Sequence, residues 1–343
     1  MHSSKTGVLL INLGTPAQPT RLSVWRYLNE FLSDPRVVAL PALIRLPLVW
    51  GVIAPLRAGR SSEAYQSIWG TSGSPLLTHS LMQKERLQES LGRETPVALG
   101  MRYGQPSIQA ALAWLLAQGV QHIKVLPLFP QYASAATGSA IEKVLQTLQK
   151  QNVIPSFEVI ADFYDHPLFI QALAQTAAEA CAPFQADFML MSFHGLPEQH
   201  VRDAESKSVP CDHKGACPAI HTQNQFCYRA QCYATAKALA AQLGFTENEY
   251  QIGFQSRLGK TPWIKPYTDA ILPQLKAQGV KRLAVICPSF VADCLETLEE
   301  IGIRLKNEWL RLGGEAFLLV PSVNAHPAFI RFLAERLGSG LLT

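Results

Sequence analysis

Phe188-Met189-Leu190-Met191-Ser192-Phe193-His194-Gly195-Leu196-Pro197 decides how this chain is read. Six residues with almost no polar interruption fit a strand buried on both faces, as parallel sheets require, and Gly-Leu-Pro stops it just after a histidine. One imidazole is therefore placed on the rim of a buried sheet. Outward from this run lie seven further apolar stretches of strand length, at 7–13, 97–101, 123–128, 159–163, 251–254, 283–287 and 317–320. Helix-period segments at 107–117, 138–150, 167–182 and 265–278 separate most of them, and this alternation predicts an α/β fold of doubly wound parallel sheets. The runs divide four and four. The expectation is two Rossmann-like domains, each a four-stranded parallel sheet flanked by helices, over 1–165 and 166–325, with a helix in 326–343 returning to the first.

Composition bounds the function. At 343 residues, 48% hydrophobic and 16% charged, the chain can bury two cores. A formal charge of +4, without blocks of Lys or Arg or aromatic-basic interleaving, argues against nucleic acid and for an acidic small molecule. Residues 1–7 lack the pattern of a secretory signal, so a cytoplasmic protein is expected. Residues 37–56 are long and apolar enough for a membrane span, but Arg45, Pro41, Pro47 and Pro55 predict a proline-broken segment instead. Such a lip would lie on a membrane, line an apolar pocket or pack on the core.

Ligands of doubly wound sheets bind beyond the carboxyl ends of the strands. Those ends carry Asn12-Leu13-Gly14-Thr15-Pro16, Met101-Arg102-Tyr103, Phe129-Pro130-Gln131-Tyr132, His194, Gln255-Ser256 and Ser289. Two domains with facing strand ends would enclose a cleft. No Gly-x-Gly-x-x-Gly follows the first strand and no phosphate loop is present, so nucleotide cofactors are not supported. Beyond the seventh run come Asp293, Glu296, Glu299 and Glu300. At ~100° per residue, Asp293, Glu296 and Glu300 fall within about 60° of one another and Glu299 points elsewhere. A base and an acid cluster at strand ends suggest proton traffic coupled to a metal. The plainer alternative is a capping box of Asp293 and Glu296, with Glu300 solvated.

Six segments, in order, resemble the ferrochelatase family: Leu10-Ile11-Asn12-Leu13-Gly14-Thr15-Pro16; Gly100-Met101-Arg102-Tyr103-Gly104; Pro130-Gln131-Tyr132 with Thr137-Gly138-Ser139; Ser192-Phe193-His194-Gly195-Leu196-Pro197; Gln255-Ser256-Arg257-Leu258-Gly259 with Pro262-Trp263; and Asp293-Cys294-Leu295-Glu296-Thr297-Leu298-Glu299-Glu300. The resemblance implies insertion of ferrous iron into protoporphyrin IX to make haem, with His194 as the active-site histidine, Glu296 as its partner acid, and Asp293 and Glu300 continuing the acidic track. The wording resembles Gram-negative proteins more than coproporphyrin-using relatives. An imidazole ordinarily titrates near ~6.5 and can take a proton from a porphyrin that must lose two. Leu13, Met101, Arg102, Tyr103, Tyr132 and Trp263 are expected ring contacts, and Arg57 or Arg60 is expected to pair with propionates. The implied setting is cytoplasmic and peripheral to the inner membrane, with contact to the preceding oxidase of the haem pathway. A porphyrin or haem carrier without insertion activity, a redox sensor on the same scaffold, a coproporphyrin ferrochelatase and cobalt insertion are the rivals.

Four of the seven cysteines, Cys211, Cys217, Cys227 and Cys232, crowd one stretch within residues 203–232, beside His213 and His221. In a cytoplasmic protein this leaves metal ligation or coincidence. The gaps of five, nine and four residues match neither zinc knuckles nor plant-type ferredoxins. On one helix Cys227 and Cys232 would diverge by about 140°, so joint ligation requires the helix to begin after Cys227. The family resemblance implies a [2Fe-2S] cluster on these four residues; zinc and unliganded thiols are the alternatives.

Overall fold

A computed structural model describes residues 5–204, 217–257, 259 and 261–338. Two compact units are present, one comprising Met1–Phe129, Ser134–Asp162 and the chain from Ile330, the other Pro130–Ala133 and Phe163–Phe329.

In the first unit, β1 (Thr6–Gly14), β2 (Val97–Tyr103), β3 (His122–Pro127) and β4 (Ser156–Val159) form a parallel sheet in the order β2-β1-β3-β4. In the second, β5 (Phe188–His194), β6 (Tyr250–Gln255), β7 (Arg282–Ile286) and β8 (Ala316–Leu319) repeat the pattern as β6-β5-β7-β8. The expected α/β class and two four-stranded parallel sheets are what is found. Each central strand is wholly apolar where flanked on both sides: Val8, Leu9, Leu10 and Ile11 are fully buried in β1, as are Leu190 and Met191 in β5. The chain leaves β1 for a neighbour on one side and later returns to the other, and β5 does the same. Both strands therefore end at a topological switch point, where the flanking connections run apart and open a crevice. His194 is the last residue of β5.

Two departures from the sequence reading have physical causes. The apolar run at 159–163 is not the fourth strand, which lies earlier, at Ser156–Val159, with Ser156 and Glu158 exposed. An edge strand keeps polar residues on one face, so apolar content misplaces it. The apolar lip is not broken by its prolines either, because one helix runs through Ala42–Ile68. A π-helical turn at Val49–Ile53 lies between Pro47 and Pro55, and the Ala54 N–H reaches back five residues to the Val49 carbonyl. The widened register accommodates prolines that lack an N–H. By length and composition this helix could cross a membrane. Its Arg45 is buried, however, and donates Nε to the Ser33 carbonyl at 2.9 Å and Nη1 to the Leu40 carbonyl, fastening the helix to its own unit. The last helix, Pro327–Leu337, is tied to the first sheet by the Lys124 ammonium on the Gly338 carbonyl, 3.0 Å.

Candidate active site

His194 is aimed by its backbone. The Tyr228 hydroxyl donates to the His194 carbonyl at 2.8 Å, and the Ser289 hydroxyl, 3.1 Å from the Tyr228 oxygen, accepts the His194 N–H at 3.4 Å. Burial, and after it the neighbouring Cys232, push the Tyr228 hydroxyl far above its ordinary range, so it stays a donor. The imidazole Nδ1 lies 2.6 Å from the Gly195 carbonyl. A carbonyl can only accept, so Nδ1 carries the proton and Nε2 presents its lone pair. Among the described residues Nε2 has no hydrogen-bond partner. Gly195 must be glycine, since a Cβ there would stand 2.6 Å from the Gln255 carbonyl oxygen and 3.3 Å from the Trp263 ring.

Glu296, Glu299 and Glu300 lie in a π-helical segment, Glu296–Leu305, rather than a regular α-helix, and Asp293 precedes it. The members separate by their partners. Asp293 is buried and its carboxylate is fully engaged: Oδ1 accepts from the Thr297 hydroxyl at 3.1 Å and the Ser322 N–H at 3.1 Å, and Oδ2 from the Asn324 amide at 2.8 Å. Asp293 thus holds the segment's entrance to the 322–324 loop, and its charge acts with that of Glu300 on the buried Cys287 thiol. Glu299 pairs with Arg304, at 2.8 and 2.9 Å from Nε. Glu300 accepts from Ser256 twice, from the N–H at 2.8 Å and the hydroxyl at 2.6 Å. Glu296 is partly buried beside the Cys294 thiol; burial first, then the Glu296 charge and hydrogen bond, hold that thiol well above its usual range, making it a donor to Glu296. His194, Glu296 and Glu300 all belong to the second unit, joined through Gln255 and Ser256 at the end of β6.

The expected ring contacts fall into both units. Met101 and Tyr103 are buried, and the Tyr103 hydroxyl donates to Asp34 at 2.9 Å. Arg102 Nη2 and the Ser139 hydroxyl reach the same carboxylate oxygen, each at 2.5 Å. Burial alone would raise the Asp34 pKa; the Ser139 hydroxyl, the Arg36 N–H, the Tyr103 hydroxyl and the Arg102 charge outweigh it, so the net shift is downward. Burial, in contrast, pushes the Tyr103 hydroxyl well above its ordinary range. Leu13 is partly exposed at the end of β1, and Arg60 is exposed. Arg57 is half-buried, burial lowers its pKa, and among the described residues its guanidinium has no ion pair. In the second unit Tyr132 meets Phe226 edge-on at 5.9 Å, and Trp263 bridges to Pro197 in strand fashion.

Of the four clustered cysteines, Cys211 lies outside the described residues, as does His213. The helix Tyr228–Leu243 begins just after Cys227, as joint ligation by Cys227 and Cys232 requires. Cys217 and Cys227 act electrostatically on buried Cys232, and Arg229 Nη1 donates to the Cys217 sulfur at 2.9 Å. Among the described residues, however, no three His, Cys, Asp or Glu side chains form a group that could hold a metal ion.

Sequence reasoning placed Gln255, Ser256 and Ser289 at strand ends without a role and missed Tyr228, whose signal is only a tyrosine at a helix start. The ferrochelatase family profile matches residues 5–340. A ferrochelatase of Legionella pneumophila (strain Paris) is 51% identical over 329 residues, 95% of this chain and 97% of its own. One from Coxiella burnetii (strain CbuK_Q154) is 47% identical over 334 residues, covering 97% and 93%. Among solved structures, SirB from Bacillus subtilis with Fe3+ has a TM-score of 0.54 at 12% identity, covering 97% of this chain and 96% of its own. At that identity the likeness shows the fold alone.

Proposed function

The chain belongs to the ferrochelatase family, and from that premise we propose that it inserts ferrous iron into protoporphyrin IX to form protohaem, with His194 as the base. The observation that carries the residue assignment is the His194 imidazole at the switch point of the second sheet, its Nδ1 fixed as donor to Gly195 and its Nε2 left as acceptor. Two pyrrole protons must leave as the dication enters. Nε2 takes a proton, and the carboxylates of Glu296 and Glu300 balance charge and pass protons or metal along the π-helical segment. The Cys294 thiol donates to Glu296, and the Ser256 N–H and hydroxyl donate to Glu300, so both carboxylates are held in place. A planar ring admits the metal poorly, so a site complementary to a bent ring lowers the barrier. Leu13, Met101, Arg102, Tyr103, Tyr132 and Trp263 are proposed to hold it, and the half-buried guanidinium of Arg57, without an ion pair among the described residues, supports propionate pairing there ahead of exposed Arg60.

The test mixes the purified protein anaerobically with ferrous salt and protoporphyrin or coproporphyrin and follows the loss of free-base fluorescence. Turnover with protoporphyrin that vanishes in His194→Ala supports the reading. Tight porphyrin binding without turnover would make the protein a carrier.

Membrane association rests on the lip, where Leu43 is 91% and Leu56 75% exposed, with Ile44, Trp50 and Val52 also outward. The protein is proposed to work in the cytoplasm against the inner membrane, where contact with the preceding oxidase of the pathway is proposed from the family membership alone. Co-flotation with anionic vesicles that survives Leu43→Asp would remove it. A [2Fe-2S] cluster on Cys211, Cys217, Cys227 and Cys232 is supported by the electrostatic reach of Cys217 and Cys227 to Cys232 and by the Arg229 cation on the Cys217 sulfur, which suits an anionic sulfur centre. When bound it would supply a one-electron redox centre. Anaerobically purified protein without colour or acid-labile sulfide would dismiss it.

A further inference from the structure

We infer that Gln255 is a positioning residue for metal insertion: its side-chain amide sets the acid-bearing π-helical segment against the strand that ends in His194. The inference rests on the reading of His194 as base and of Glu296 and Glu300 as its acidic partners.

Three elements converge on this residue. Its backbone carbonyl accepts the Gly195 N–H at 2.8 Å, the residue whose own carbonyl fixes the imidazole tautomer. Its Oε1 accepts from the Ser192 hydroxyl at 2.8 Å, two residues before His194 on β5, and receives the Cys287 thiol at 3.7 Å. Its Nε2 donates to the Glu296 backbone carbonyl at 2.8 Å. Glu296's carbonyl can only accept, so the amide nitrogen must face it, and the orientation of the side chain is fixed by its partners. Gln255 is buried, so neither amide atom has bulk water as a substitute.

The next residue completes the corner. Ser256 has φ of 66°, a left-handed conformation uncommon for a residue with a Cβ, and from it donates both its N–H and its hydroxyl to Glu300. Consecutive residues at the end of β6 thus hold the segment at its first residue through the backbone and at its fifth through a carboxylate. Glutamate at 255 keeps the shape but turns an acceptor toward the Glu296 carbonyl. Methionine keeps the volume and makes neither bond.

The experiment measures kcat, porphyrin KM and thermal midpoint for metal insertion by the full chain in native, Gln255→Met, Gln255→Glu, Thr268→Val and His194→Ala proteins. Thr268 bonds the Ser192 hydroxyl at 2.8 Å, so its valine variant removes a buried hydroxyl from the same network while every bond of Gln255 remains. Expected is a fall in kcat of about 10- to 100-fold for Gln255→Met at near-native KM, because small misplacements of reacting groups are that costly. Gln255→Glu falls at least as far, and carries the test should the methionine variant not fold. Thr268→Val keeps native kcat whatever its midpoint. Native kcat in Gln255→Met, a loss confined to KM, or an equal kcat loss in Thr268→Val overturns the inference. Full turnover by His194→Ala removes the reading of the base itself, whereas a dead His194→Ala beside an active Gln255→Met removes only the role of Gln255.

Discussion

The two sheets share one strand order, yet the polar groups at their carboxyl ends are arranged in opposite ways. At the end of β2, Arg102 and Tyr103 close on Asp34 with Ser139, so that charges and hydroxyls satisfy one another inside the unit. At the end of β5 the protein bonds the backbone of His194 and one ring nitrogen, and leaves the other nitrogen open among the described residues. A closed network fixes a loop; a half-satisfied one holds a group ready for a substrate. The end of an edge strand and the end of a central strand at its switch point thus carry different duties, and the comparison can be broken by removing one member from each end.

The largest effect is expected at the open end. His194→Ala should lower kcat by about 10²- to 10⁴-fold, the usual worth of a general base, with little change in thermal midpoint. Stopped-flow quenching of porphyrin fluorescence gives the first number and calorimetry the second. A variant that loses stability while keeping turnover would reverse the roles assigned to the two ends.

The closed end should show its effect first in stability. Asp34→Ala leaves Arg102 without its carboxylate partner, and breaking such a buried pair costs about 3 kcal/mol, read by urea titration. The pH dependence follows from the lowered pKa of Asp34. Because the folded state holds the carboxylate below its ordinary range, its contribution is complete above the unfolded value near ~3.9 and disappears as pH falls through the folded value. Asp34→Asn should flatten the acid limb of the stability curve below about pH 4, and an unchanged limb would place acid sensitivity elsewhere.

How far the sequence could reveal this contrast depends on the range of the interactions. Seven of the eight strands follow from apolar runs because both faces of a parallel strand are buried; β4 slips because its outer face is wet. His194 was legible from a strand ending in Gly-Leu-Pro, and the acids from their crowding. Their division was not. Asp293 is engaged by Ser322 and Asn324, 29 and 31 residues away, and Glu300 by Ser256, 44 residues away, and no helical wheel contains those partners. The wheel itself presumed α-helical spacing, whereas the segment is π-helical. Tyr228 reaches His194 across 34 residues, a contact that only the folded sheet creates.

A smaller effect probes the corner that serves the open end. Ser256→Ala removes one donor to Glu300 and keeps the left-handed backbone, whereas Ser256→Gly removes the same hydroxyl and relieves that backbone. The glycine variant should be more stable than the alanine variant by about 1 kcal/mol, the cost of a Cβ in the left-handed region. Equal stabilities in urea would mean that the corner relaxes when the hydroxyl goes.

The smallest effect separates the acids from each other. Arg304 is 63% exposed and pairs with Glu299 at 2.8 Å, while it approaches Glu300 only at 3.9 Å. An exposed guanidinium of this kind contributes at most about 1 kcal/mol, and salt screens it. Arg304→Ala should therefore lower stability slightly at low ionic strength and by still less at high salt. Glu300 keeps both Ser256 donors in that variant, so kcat should stay near native. A large fall in kcat would show that Glu299 and Arg304 belong to the open network after all, and the line between the satisfied and the available carboxylates would have to be redrawn one residue earlier.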